Sequence, residues 1–110
     1  GRGSVCINTA GEKVFPEEIE EVLKEHPSVT DALVVGVTDE KWGNAVTGVV
    51  QLNAGANVGE DELRTHVRDR LAGYKVPKRV LFRADLNRAP NGKADYKATT
   101  EFAEGALGIS

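Results

Sequence analysis

A chain of 110 residues falls in the usual size range of one domain and can bury only a modest core. Hydrophobic residues make up 40% and charged residues 28%, ordinary for a globular fold, and a formal net charge of -3 with both signs dispersed argues against a nucleic-acid partner, which needs a basic face. The single cysteine, Cys6, excludes an intramolecular disulfide and suits a reducing, cytoplasmic compartment, and there is no run of about 18 apolar residues to cross a membrane.

The chain opens on Gly1-Arg2-Gly3-Ser4, with no initiating methionine and no apolar signal stretch, so the expectation is a piece of a longer protein. Val5-Cys6-Ile7 predicts a short strand in which Cys6 is a small buried apolar side chain. Thr9-Ala10-Gly11-Glu12 predicts a turn and Lys13-Val14-Phe15 a second extended piece, together a short N-terminal hairpin. Pro16 suits the first turn of a helix, where Glu17 and Glu18 face the positive end of the helix dipole. Ile19, Val22 and Leu23 share one apolar face, and Pro27 ends the helix by disfavouring helical geometry at His26.

Residues 29–37 hold Leu33, Val34, Val35 and Val37 in near-continuous order, the pattern of a central strand covered on both faces. A polar turn at 38–44, an antiparallel return strand at 46–52 and a Gly/Asn loop at 53–59 follow. Leu63, Val67 and Leu71 predict a second helix over 60–71, and Val80-Leu81-Phe82 a last strand. From Asp95 a C-terminal helix is expected, fading over 105–110. The order predicts an α+β two-layer sandwich: a small, mostly antiparallel sheet with two packed helices in βαββαβ order, plus the N-terminal hairpin and C-terminal helix.

Chemistry concentrates in loops. In Pro90-Asn91-Gly92-Lys93, a glycine lets the backbone turn sharply and project an ammonium that can neutralise phosphate or carboxylate; taken alone, most such lysines are simply solvated. Two further strings accompany it: Gly1-Arg2 followed by Gly11-Glu12-Lys13-Val14-Phe15-Pro16-Glu17-Glu18-Ile19-Glu20, and Tyr74-Lys75-Val76-Pro77-Lys78. In this order and spacing the chain resembles, over nearly its whole length, the C-terminal domain of the adenylate-forming acyl-CoA synthetase, luciferase and peptide-synthetase superfamily. The string at 11–18 looks more like bacterial fatty-acyl-CoA ligases than like a peptide-synthetase adenylation subdomain. A small ligand-binding regulatory module of the same βαββαβ order is the reading from another class, and it leaves the three ordered motifs without a reason.

The resemblance implies a mobile C-terminal domain over 1–110, an N-terminal partner domain holding most of the ATP, magnesium and acyl sites, and a reaction joining a carboxylic acid to coenzyme A. It implies Lys93 as the catalytic lysine of acyl-adenylate formation, where charge builds between carboxylate and phosphate oxygens. It implies a second, coenzyme A-facing surface at Gly11 and Glu12, where a missing side chain lets a pantetheine arm approach, unless Gly11 is a plain turn glycine. Ala10 stands where the family often has another glycine. Trp42 is then a stacking surface for the ligand or an anchor for its turn, and Tyr74, Lys75 and Lys78 hold the nucleotide end of coenzyme A or form a solvated basic loop. Arg2 joins this ligand-facing set near the hinge, where Ser4 replaces the family's Asp or Lys. Glu18 and Glu20 read as helix-surface charges, and His26 and His66, far apart in sequence, make a metal site improbable.

Overall fold

The computed structural model describes residues 6–108. Its first two strands, β1 (Ile7–Thr9) and β2 (Glu12–Val14), pair antiparallel as the expected hairpin. The two residues between them, Ala10 and Gly11, both have positive φ (49° and 83°), the combination a two-residue type I′ hairpin turn requires. Ala10 therefore fits the turn, at the steric cost of a Cβ in the left-handed region. Cys6, just before β1, is only half-buried.

Helix α1 (Pro16–Lys24) begins at the proline and carries Glu17 and Glu18 in its first turn, as the dipole favours. Strands β3 (Val29–Asp39) and β4 (Gly43–Leu52) form a long antiparallel ribbon that reaches further into the expected polar turn than the sequence predicts. The reason lies in Asp39, whose carboxylate accepts the N–H groups of Lys41 (2.8 Å) and Trp42 (3.0 Å), with Gly43 at φ 79° completing the reversal. Helix α2 (Glu60–Arg68) stops earlier than expected, though the Leu71 N–H still bonds the Val67 carbonyl at 2.8 Å and its side chain packs on the core. A single 3-10 turn (Gly73–Lys75) leads to β5 (Arg79–Phe82), and α3 (Tyr96–Ala106) ends the described chain.

The three-stranded sheet runs β3-β4-β5, with β5 parallel to β4, so the sheet is mixed and its antiparallel pairing dominates by length. The run at 29–37 is buried on both faces as expected, but it is the edge strand; β4 is central. Even-numbered β3 side chains Ala32 and Val34 join Ile19 and Leu23 of α1 and Leu63 and Val67 of α2. Leu33, Val35 and Val37 face the other way, toward Leu86 and Ala103, with Phe102 and Leu107 packed alongside. The C-terminal helix thus covers the face that α1 and α2 leave open. Alternation plus cover on both sides explains why β3 reads as a continuous apolar run.

Asp95 caps α3, its carboxylate accepting the Ala98 N–H at 3.0 Å. Asp95→Ala is expected to destabilise the domain by about 1 kcal/mol, and Asp95→Asn by much less. Urea midpoints of the two variants check the difference.

Candidate functional site

The Lys93 loop is exposed from Ala89 through Lys93 but not formless. The Gly92 N–H bonds the Ala89 carbonyl (2.7 Å), the Ala89 N–H bonds the Lys93 carbonyl (2.9 Å), and the Asn91 side chain accepts the Lys93 N–H (3.0 Å). Gly92 sits at φ 84°, a conformation that favours glycine. The loop is thus a closed turn that projects the Lys93 side chain outward, with no ammonium partner among the described residues.

At the far end of β3, several of the residues singled out from sequence come together. The Ala10 N–H bonds the Trp42 carbonyl at 2.8 Å, which seats the Ala10-Gly11 turn against the β3–β4 turn. The Lys78 ammonium lies 4.1 Å from the Trp42 ring centre, and Lys41 lies 5.0 Å from it. The Lys78 N–H bonds the Val46 carbonyl (2.7 Å), fixing the lysine to the central strand. A Cβ added at Gly11 would meet nothing within 4 Å, so the surface over the turn is open. Glu12 is exposed at the start of β2 beside it. Together these make an aromatic, basic surface able to stack on a flat ring and pair with phosphate.

Tyr74 and Lys75 turn elsewhere. The Lys75 ammonium is 2.8 Å from Glu18 on α1, which holds it above the usual lysine pKa, and it lies 5.7 Å from the Tyr74 ring centre. Tyr74 remains exposed. Arg2, with Ser4, lies outside the described residues.

Glu18 is therefore an ion-pair partner, and Glu20 is no surface charge at all. Glu20 is 5% exposed, and one of its oxygens accepts both the Val34 N–H (2.9 Å) and the Tyr96 hydroxyl (2.8 Å). An edge strand leaves outward N–H groups without a strand partner, and Glu20 satisfies one of them. Its pKa is raised, burial being the largest cause, while these two hydrogen bonds act to lower it. Burial, then the Glu20 carboxylate, push the Tyr96 hydroxyl well above its ordinary range. The sequence carried a signal: Pro16, Ile19, Glu20 and Leu23 follow the spacing of one helical stripe.

Arg88 was also missed. Its guanidinium grips Asp31 on β3 with two bonds, Nε to Oδ2 at 2.6 Å and Nη2 to Oδ1 at 2.9 Å, while Nη1 reaches the Gly92 carbonyl at 3.2 Å. Burial raises the Asp31 pKa, but the Arg88 fork and the Ala32 N–H outweigh it and hold it below the usual aspartate value. Because the folded-state pKa is the lower one, the unfolded chain takes up the proton first on acidification. The stabilisation is full above about pH 3.9 and is lost as pH falls through the lowered folded value. Side-chain exposures of 28% for Arg88 and 20% for Asp31 leave the pair partly solvated. Asp31→Asn is therefore expected to cost about 1 to 2 kcal/mol at pH 7, less than a fully buried pair would. In urea titrations at successive pH values, the gap between this variant and the parent closes below about pH 3.9.

His26 and His66, treated as unrelated in the sequence, meet edge to face with ring centres 5.2 Å apart. The Ser28 N–H donates to His26 Nδ1, so Nε2 carries the proton shared with Glu62 at 2.9 Å. His66 Nε2 donates to the Val22 carbonyl at 2.7 Å. These bonds tie the end of α1 to α2. Among the described residues, no three His, Cys, Asp or Glu side chains are grouped to hold a metal, and no helix is long and apolar enough to cross a membrane.

The chain as a whole is similar to known proteins. The AMP-binding enzyme C-terminal domain matches residues 18–93. A 3-oxocholest-4-en-26-oate--CoA ligase of Rhodococcus rhodochrous is 57% identical over 97 residues, covering 88% of this chain and 18% of that protein. The medium-chain acyl-CoA ligase Mig of Mycobacterium avium is 48% identical over 103 residues, covering 94% of this chain and 19% of that protein. Among solved structures, a Mycobacterium tuberculosis fatty acyl CoA synthetase superposes with a TM-score of 0.86 at 35% identity, over 92% of this chain and 20% of that one. The chain spans about a fifth of the length of the relatives it matches.

Proposed function

The chain belongs to the AMP-binding enzyme C-terminal domain family, and from that premise we propose that residues 1–110 are the mobile C-terminal domain of an ATP-dependent CoA ligase for fatty acids and related carboxylic acids. An N-terminal domain of the same ligase holds the acid and most of ATP with its magnesium. In the first half-reaction the carboxylate oxygen attacks the α-phosphorus of ATP and pyrophosphate leaves. In the second, the sulfur of coenzyme A attacks the acyl carbonyl, the thiol proton is lost and AMP leaves. Lys93 serves the first step, its ammonium bridging carboxylate and phosphate oxygens as charge builds between them. Gly11, Glu12, Trp42 and Lys78, with Arg2, serve the coenzyme A side, whereas the Lys75 ammonium, expected there from the resemblance, is taken up by Glu18 beside Tyr74. The isolated chain is expected to catalyse neither step.

One observation carries the reading. The Lys93 loop is bonded to Asp31 near the start of β3, whereas the Ala10-Gly11 turn and Trp42 sit beyond Asp39 at its end. At about 3.3 Å per strand residue, the two ends are roughly 26 Å apart. One rigid domain cannot present both ends to the same reacting group at once. Two half-reactions served in turn by a rotating domain account for this separation.

Trp42→Ala in the full ligase tests it. Loss of a stacking and cation–π surface is expected to raise KM for coenzyme A about tenfold, with ATP–pyrophosphate exchange kept within about twofold. Equal losses in both half-reactions would overturn the two-ended reading.

A further inference from the structure

Lys93 sits in a tip whose two ends are each tied to β3. Five residues before it, Arg88 holds the Asp31 carboxylate with two bonds. The same guanidinium bonds the carbonyl of Gly92, the residue immediately preceding Lys93, at 3.2 Å. Three residues after it, the Tyr96 hydroxyl donates to Glu20 at 2.8 Å, and Glu20 is itself fixed by the Val34 N–H at 2.9 Å. Asp31 and Val34 are three positions apart on the same strand, so both tethers are referred to one rigid element whose two faces are packed. Between the tethers the tip is exposed from Ala89 through Lys93 and closed by its own hydrogen bonds, with Ala94 packed against the Leu33 cluster; the two tethers are the side-chain bonds that refer this closed turn to β3.

We propose that Arg88, with Asp31, and Tyr96, with Glu20, are positioning residues for Lys93 in acyl-adenylate formation. This rests on the catalytic role given to Lys93 above. Their part is to set where the loop carries the ammonium when the domain docks, since a misplacement of about 1 Å at a reacting centre costs on the order of a hundredfold in rate. Arg88 is the more direct of the two, because its fork spans the strand and the loop backbone together. A lysine there would keep the charge but lose the planar two-pronged grip. Tyr96 fixes the exit of the loop, where Asp95 caps α3, so its hydroxyl sets the angle at which loop passes into helix.

The test uses the full ligase and measures three quantities for Arg88→Lys, Tyr96→Phe and Lys93→Ala: ATP–pyrophosphate exchange, thioester formation from a supplied acyl-adenylate, and thermal midpoint. Arg88→Lys is expected to lower kcat for exchange roughly ten- to a hundredfold, with KM for ATP and the rate from supplied adenylate within about twofold. Tyr96→Phe removes only the hydroxyl; a several-fold fall in the same kcat is expected, again without change in the second half-reaction. A purely structural role would depress both half-reactions in step with the thermal midpoint, and that outcome would overturn the proposal. So would wild-type exchange in both tether variants alongside a dead Lys93→Ala enzyme. Wild-type exchange in Lys93→Ala would instead remove the catalytic role on which the tethers depend, which separates the two failures.

Discussion

Lys93→Ala in the full ligase is expected to slow acyl-adenylate formation by at least about a hundredfold, the usual loss when one preorganised charge contact to a transition state is deleted. Thioester formation from a supplied acyl-adenylate stays within about twofold. The asymmetry follows from where the residue sits. The side chain is exposed, without an ammonium partner among the described residues, and its loop is bonded to the start of β3, away from Trp42 and Gly11. An exposed ammonium does little in water, where charges a few ångströms apart interact by only about 1 kcal/mol. Under the proposed function its effect grows when docking against an N-terminal domain excludes solvent around the α-phosphate and the incoming carboxylate. Lys93→Arg keeps the charge but replaces a compact ammonium with a wider planar group, and an intermediate rate is expected. ATP–pyrophosphate exchange is the direct readout; an unchanged rate in Lys93→Ala sinks the assignment.

Much of the framework behind this prediction was legible in local sequence. Pro16 with Ile19, Val22 and Leu23 marks the first helix, and the apolar run at 29–37 marks a strand covered on both sides. Asp95 marks the start of the last helix through the capping oxygen it supplies. The Lys93 loop and the Trp42 turn were legible because glycine and a turn-forming aspartate constrain backbone over a few residues.

What escaped were contacts that only the fold creates. Arg88 and Asp31 are 57 positions apart, and Tyr96 and Glu20 are 76 apart, so no periodicity links them. Glu20 was misread for a different reason. Its charge outweighed its position on the apolar stripe, although a carboxylate can be buried where a sheet edge offers a free N–H. The edge position of β3 was hidden in the same way: cover by helices on both faces makes an edge strand as apolar as a central one. The parallel placement of β5 depends on α2 crossing over, and four strand residues carry no sign of direction.

Gly11→Leu is expected to produce the converse defect, slowing thioester formation about a hundredfold or more while leaving adenylation nearly intact. Two effects of the substitution must be separated. Gly11 has φ 83°, so any side chain there carries backbone strain, of about 1 to 2 kcal/mol. Within the domain the space at this position is open, since an added Cβ meets nothing within 4 Å. Bulk at this position therefore acts on whatever approaches the turn from outside, and under the proposed function that is the pantetheine arm of coenzyme A. Gly11→Ala carries the same strain with almost no reach, and is expected to retain most of the thioester rate. Gly55, also at positive φ with open space around its Cβ, lies in the loop after β4 and supplies a second control. Gly55→Leu should share the strain yet leave both half-reactions unchanged. If Gly11→Ala and Gly11→Leu lose thioester activity equally, strain alone explains the defect and the open surface over the turn has no part in the path of coenzyme A. If Leu alone is slow, the space above Gly11 is where the thiol arm passes, at the end of β3 opposite the lysine to which adenylate formation is assigned under the proposed function.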